Sequence, residues 1–158
     1  MKMTQLLRFD LPSEIIRLWQ DRESEELLPA QEMAVKRFDL FGPGNLLVQA
    51  PTSSGKTFIG EMAAVHTALR RKKVVYLLPL KALAEEKFRE FSGKYEAYGL
   101  HVILSSRDHR EYDRELEEGD FSIAIVVYEK LAQLLVRRPE RLAEIELVVA
   151  DELEILSD

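Results

Sequence analysis

The stretch "LVQAPTSSGKTFIGE", Leu47 to Glu61, sets an apolar run against small and hydroxylated residues, then a lysine, then a helical pattern. Small residues let the backbone turn tightly, so that the N–H groups of Ser53, Ser54, Gly55, Lys56 and Thr57 converge on phosphate oxygens at a helix N-terminus. Lys56 in this pattern reaches the β and γ phosphates, and the Thr57 hydroxyl is placed for Mg²⁺. The candidate nucleotide-binding residues are therefore Thr52, Ser53, Ser54, Gly55, Lys56 and Thr57. Ala50 stands at the first position, where the common pattern has Gly.

Outward from this loop the chain alternates short apolar runs with helical stretches. "NLLVQA" 45–50, "VVYLLP" 74–79, "HVILS" 101–105, "SIAIVV" 122–127 and "ELVVAD" 146–151 read as strands buried on both faces. The connections are long enough for crossover helices, and Phe58, Met62, Val65 and Leu69 recur about once per helical turn. The fold class is α/β: a parallel sheet with flanking helices and right-handed crossovers. Ahead of it, Pro12 opens a helix that groups Ile15, Ile16 and Trp19. Pro29 opens a second that buries Met33, Val35 and Phe38 and ends at "GPG", 42–44. Two segments follow, an N-terminal helical one over 1–44 and the nucleotide-binding domain over 45–158. "RRKK", 70–73, sits where cations favour a helix C-terminus.

Composition narrows the classes. The chain has 158 residues, 46% hydrophobic and 32% charged, enough for one packed core. Its apolar runs fall far short of the roughly 20 residues a bilayer span needs, so no membrane partner is expected. It has no cysteine, hence no disulfide framework and no thiolate metal site, and a cytoplasmic location is the default. A net charge of −6 argues against a whole-surface grip on nucleic acid and leaves room for a local basic groove.

Near the end, "VVAD" runs as an apolar strand into Asp151 and Glu152. In an open α/β sheet ligands bind beyond the carboxyl ends of strands, so Asp151 is expected to share a crevice with the Ser53–Thr57 loop. One carboxylate there suits Mg²⁺, with Thr57 and Asp151 as the metal candidates, and Glu152 suits the activation of an attacking water. Lys56, Asp151 and Glu152 are the candidate catalytic residues.

The order of these motifs resembles the first RecA-like domain of superfamily 2 helicases, and within them the Ski-like DExH-box group. The resemblance covers about Leu27 to the C-terminus. "LLPAQ", 27–31, is similar to the element ahead of the phosphate loop, which implies that Gln31 reads the adenine edge. "APTSSGKT" resembles motif I, "LPLKALAEEK", 78–87, motif Ia, "VVYEKL", 126–131, motif Ib, and "DELE", 151–154, motif II. Motifs Ia and Ib of that family touch the backbone of a single strand, which gives Pro79, Lys81, Ala82, Glu129 and Lys130 a candidate nucleic-acid role. The resemblance thus implies ATP and Mg²⁺ as cofactors and DNA or RNA as partner.

Glu154 stands where motif II usually has His, Arg107 in "SSRD", 105–108, where many relatives have Gly, and Val127 where motif Ib often has Thr. All three bear on coupling or on the nucleic-acid side, and none touches the phosphate loop. After motif II the family continues to a Ser-Ala-Thr motif, on a strand between those of motifs I and II, and to a second RecA-like domain that brings arginine fingers. The sequence ends at Asp158. The expectation is a truncated piece of a longer chain, lacking a central strand and nearly inactive alone. Two readings follow: the ATP-binding part of a nucleic-acid-dependent ATPase that translocates or unwinds, or a degenerate nucleotide-binding module with a regulatory or scaffold role.

Overall fold

Proline sets the first helices. Its fixed φ suits a helix start, where a missing N–H costs nothing. Pro12 caps α1 (Ser13–Arg22), and Pro29 is the first residue of α2 (Pro29–Lys36). The computed structural model describes residues 1–153, which form two compact units, Met1–His66 and Thr67 onward. Glu154 lies outside the described residues.

In the first unit Ile15, Ile16 and Trp19 are buried as expected, and the Trp19 ring meets Phe58 edge-on at 5.3 Å. The second helix differs from expectation. It buries Gln31, Ala34 and Val35, while Met33 and Phe38 are about half exposed. Positions 31, 34 and 35 share one face at 3.6 residues per turn, and Met33 falls on the other. The helix stops at Lys36, six residues before Gly42, so Phe38 is off its register and lies instead beneath the Arg37 guanidinium.

Helix α3 (Lys56–Leu69) runs from the first unit into the second and buries Phe58, Met62 and Val65. Beyond it come β1 (Lys73–Leu78), α4 (Lys81–Tyr95), β2 (Val102–Ser105), α5 (Asp113–Glu118), β3 (Ile123–Val127), α6 (Tyr128–Arg137), α7 (Pro139–Leu142) and β4 (Ile145–Ala150). The four strands form a wholly parallel sheet in the order β2-β3-β1-β4, with flanking helices, as in a RecA-like domain. Register runs Val74↔Ile123 to Leu78↔Val127 on one side of β1 and Val74↔Leu147 to Leu77↔Ala150 on the other.

Alternate side chains go to opposite faces. Val75 and Leu77 join Ile103, Ala124 and Val126 in a cluster with Leu116 of α5 and Leu134 of α6. Tyr76 points the other way, against Phe91 of α4 at 5.4 Å. Burying each such large side chain contributes about 1.5 to 3 kcal/mol. Strands β2 and β3 are buried throughout and β1 from Val74 onward, whereas β4, bonded among the described residues to β1 alone, alternates between half-buried and exposed. No described helix is long and apolar enough to cross a membrane.

The run 45–50 is the correction to the expected strands. It is not a strand, and Leu47 is 80% exposed. An apolar segment becomes a strand only when a neighbour supplies ladder partners. Among the described residues no neighbour pairs with 45–50.

Candidate nucleotide and nucleic-acid sites

The loop between residue 50 and α3 is tight because two residues take the left-handed region: Ser53 at φ 70° and Gly55 at φ 77°. The Ser54 N–H bonds Pro51 O at 3.2 Å. Gly55 is required twice over. Its φ disfavours any side chain, and a Cβ there would stand 2.1 Å from Gln31 Nε2. Gln31 is buried and uses both ends of its amide. Oε1 accepts the Leu28 N–H at 2.8 Å at the start of α2, and Nε2 donates to Gly55 O at 3.2 Å. Thus α2 is tied to the loop by an uncharged side chain.

Lys56 and Thr57 fill the first helical positions of α3 and are half-buried. The first N–H groups of a helix have no intrahelical acceptor, and the helix dipole makes that end positive. The Ser54 hydroxyl is buried with no hydrogen-bond partner among the described residues. Small side chains, helix-end donors without intrahelical acceptors and a buried hydroxyl suit a phosphate group.

In the second unit, the end of β4 presents Asp151. Its N–H bonds Leu77 O at 3.1 Å, extending the ladder one residue past the strand. Its carboxylate is held at both oxygens: Oδ1 accepts the Glu152 N–H at 2.9 Å, and Oδ2 accepts the Tyr76 hydroxyl at 2.8 Å. Glu152 takes φ 57°, a strained value for a side-chain-bearing residue and one of a kind that clusters at functional sites. An oriented carboxylate and a threonine hydroxyl are hard oxygen donors of the type Mg²⁺ takes. Sequence reasoning missed Tyr76. The signal was a phenol inside an otherwise aliphatic buried strand, which needs a partner for its O–H.

The motif Ia and Ib residues occupy starts of helices in the second unit. Pro79 is half-buried, and Lys81 and Ala82 are exposed at the first turn of α4. Glu129 and Lys130 lie in the first turn of α6. Every cation in the set has an acidic partner. Lys81 bonds Asp108 and lies 3.8 Å from Glu85. Lys130, only 13% exposed, is 3.4 Å from Asp113, and Arg107 is 3.5 Å from Glu129. The contact with Asp108 raises the Lys81 pKa, and Lys81 in turn lowers that of Asp108. His109 bridges Glu111 at 3.1 Å and Glu85 at 2.7 Å, and these two bonds raise its pKa. Arg107 is not among the residues with positive φ, so its side chain brings no left-handed strain.

The sequence model of the DEAD/DEAH box helicase family matches residues 28–158. The chain is 37% identical to the ATP-dependent DNA helicase Hel308 of Methanocaldococcus jannaschii over 150 residues, covering 91% of this chain and 12% of that protein. It is 40% identical to the Hel308 of Pyrococcus abyssi over 157 residues, covering 99% of this chain and 21% of the relative. It is also 38% identical over 152 residues to a probable ATP-dependent helicase of M. jannaschii, covering 94% of this chain and 18% of that one. The chain therefore spans about a fifth or less of the length of these relatives.

Proposed function

Because the chain belongs to the DEAD/DEAH box helicase family, we propose that it is the first RecA-like, ATP-binding domain of a nucleic-acid-dependent ATPase of the Ski-like group, acting on DNA. The observation that carries this is the bond from Gln31 to Gly55 O, which ties α2 to a loop bent at Ser53 and Gly55. DNA as the partner is supported by the names of the Hel308 relatives. A second RecA-like domain, supplied by a longer chain, and a cytoplasmic location complete the reading.

The roles follow from chemistry. Backbone N–H groups of residues 53–57 and the Lys56 ammonium bind the β and γ phosphates of ATP. Gln31, whose amide donates and accepts at once, has one N–H and one lone pair left for an adenine edge. Glu152 orients a water toward the γ phosphorus and takes its proton. Mg²⁺, held by Thr57 and by Asp151 through water, would neutralise charge that develops on the phosphate oxygens.

Pairing of Lys81, Arg107 and Lys130 with carboxylates favours a second reading, a nucleotide-binding regulatory module that does not grip nucleic acid. Titrating ATP and GTP into the chain and its Gln31→Ala variant tests the first. The chain should prefer ATP, and Gln31→Ala should level the two affinities. Unchanged discrimination removes Gln31 from the base site.

A further inference from the structure

Tyr76 contributes more than core packing. Its ring is fully buried in the middle of the sheet, between Ile125 of β3 and Val149 of β4 in register. Phe91 of α4 meets it edge-on at 5.4 Å, and the Lys87 ammonium lies over it at 5.7 Å. Packed on all sides, the ring holds its hydroxyl at one place. A phenylalanine would fill the same space, so packing alone gives no reason for the hydroxyl, whose burial costs free energy unless it finds a partner. Its partner is the Asp151 carboxylate, 75 residues away at 2.8 Å. An O–H donated to a carboxylate is among the stronger hydrogen bonds.

Resting on the assignment of Asp151 as the carboxylate toward Mg²⁺, we propose that Tyr76 is its positioning residue. The Tyr76 hydroxyl fixes Oδ2, the Glu152 N–H fixes Oδ1, and the Asp151 N–H bond to Leu77 O fixes the backbone. Carboxylate rotation is thereby stopped from both ends while each oxygen retains a lone pair. The Tyr128 phenol does not share the task. Its hydroxyl is buried with no hydrogen-bond partner among the described residues, and burial, aided by the Asp151 charge, pushes its pKa up. Tyr76 also carries the link from α4, the helix of motif Ia, to the metal-binding carboxylate.

The test uses Mn²⁺ as a paramagnetic probe, titrated into the chain with a non-hydrolysable ATP analogue and followed by electron paramagnetic resonance. Partners that orient a metal ligand typically carry about 10- to 100-fold in metal affinity, so Tyr76→Phe should weaken Mn²⁺ at least about tenfold. Affinity for the analogue in excess chelator should stay at the parent value. A p-aminophenylalanine at position 76, which restores a donor, should recover Mn²⁺ binding. Parental Mn²⁺ affinity in Tyr76→Phe, even with a lower melting temperature, overturns the proposal and leaves Tyr76 a core residue. Asp151→Asn separates the two levels. If it weakens Mn²⁺ and Tyr76→Phe does not, only the positioning role falls. If neither matters, the Asp151 assignment falls and takes the proposal with it. Should Tyr76→Phe fail to fold, the ¹³Cζ resonance of Tyr76 in the parent replaces it: a shift on adding Mg²⁺ with the analogue supports the role, and an unmoved resonance overturns it.

Discussion

Gln31 holds Gly55 O with an amide and Tyr76 holds Asp151 with a phenol, whereas Lys81, Arg107 and Lys130 are each held by a carboxylate. On the nucleotide side, the donors that shape the loop backbone and orient the Asp151 carboxylate are themselves uncharged. On the motif Ia and Ib side, a strand's phosphates must displace acids before they gain a cation. The first arrangement favours binding in the resting protein. The second makes binding an exchange of partners, weak and salt-dependent, as a net charge of −6 also implies.

The largest expected effect is on the prepared side. Gly55→Ala forces a side chain into the left-handed region, about 1 to 2 kcal/mol, and drives Gln31 from its bond, about 1 kcal/mol more. Nucleotide affinity should fall roughly 30- to 150-fold. A fluorescent-analogue titration giving parental affinity would mean that loop shape is not what binds phosphate.

The masked side should respond in both directions and more weakly. Replacing Lys81 and Lys130 by Ala should flatten the salt dependence of single-strand binding by about 0.7 log units per lost phosphate contact. Asp108→Asn, which removes the nearer of the two acids beside Lys81 and leaves Glu85, should steepen it by less than that amount. Salt titrations with labelled single-stranded DNA measure both. Identical slopes in all variants would remove these cations from the groove and favour the regulatory reading.

The smallest effect is a pH dependence of the segment after β2. His109, with a pKa raised by Glu111 and Glu85, anchors that segment to α4. Since the folded value lies above the ordinary 6.5, the anchor is complete below pH 6.5 and is lost as pH rises through the raised value. Asp108, held by Lys81, stays charged across that window. Titration of the His109 ring protons by NMR should give a midpoint above 6.5, and cleavage at Arg107 and Arg110 by trypsin should quicken over the same range. A midpoint at or below 6.5 would contradict the bridge.

Much of the sheet was legible from the sequence. The apolar runs at 74–79, 101–105, 122–127 and 146–151 match the four strands to within a residue or two, because aliphatic runs of that length between helical stretches have few other ways to be buried. "NLLVQA" carries the same local signal and forms no strand, since pairing depends on a neighbour that local sequence does not report. Met33 was misassigned because it falls opposite the face that Gln31, Ala34 and Val35 bury, and Phe38 because the end of α2 at Lys36 has no punctuating residue. The candidate phosphate loop and candidate Asp151 carboxylate are proposals from spaced residue types; the structure adds the bend at Ser53 and Gly55 and the two bonds to Asp151. Partners across the fold were not legible: Tyr76 with Asp151 is 75 residues apart and Lys81 with Asp108 is 27, and neither leaves a periodic trace.

The account stands most directly on one titration, a fluorescent ATP analogue with Mg²⁺ against the chain and its Lys56→Ala variant. Backbone amides and the Lys56 ammonium converge on the phosphates in this reading, so saturable binding to the parent should be lost in Lys56→Ala while the melting temperature stays within a few degrees. Equal binding by the two proteins would contradict the phosphate-loop assignment and the proposed function with it.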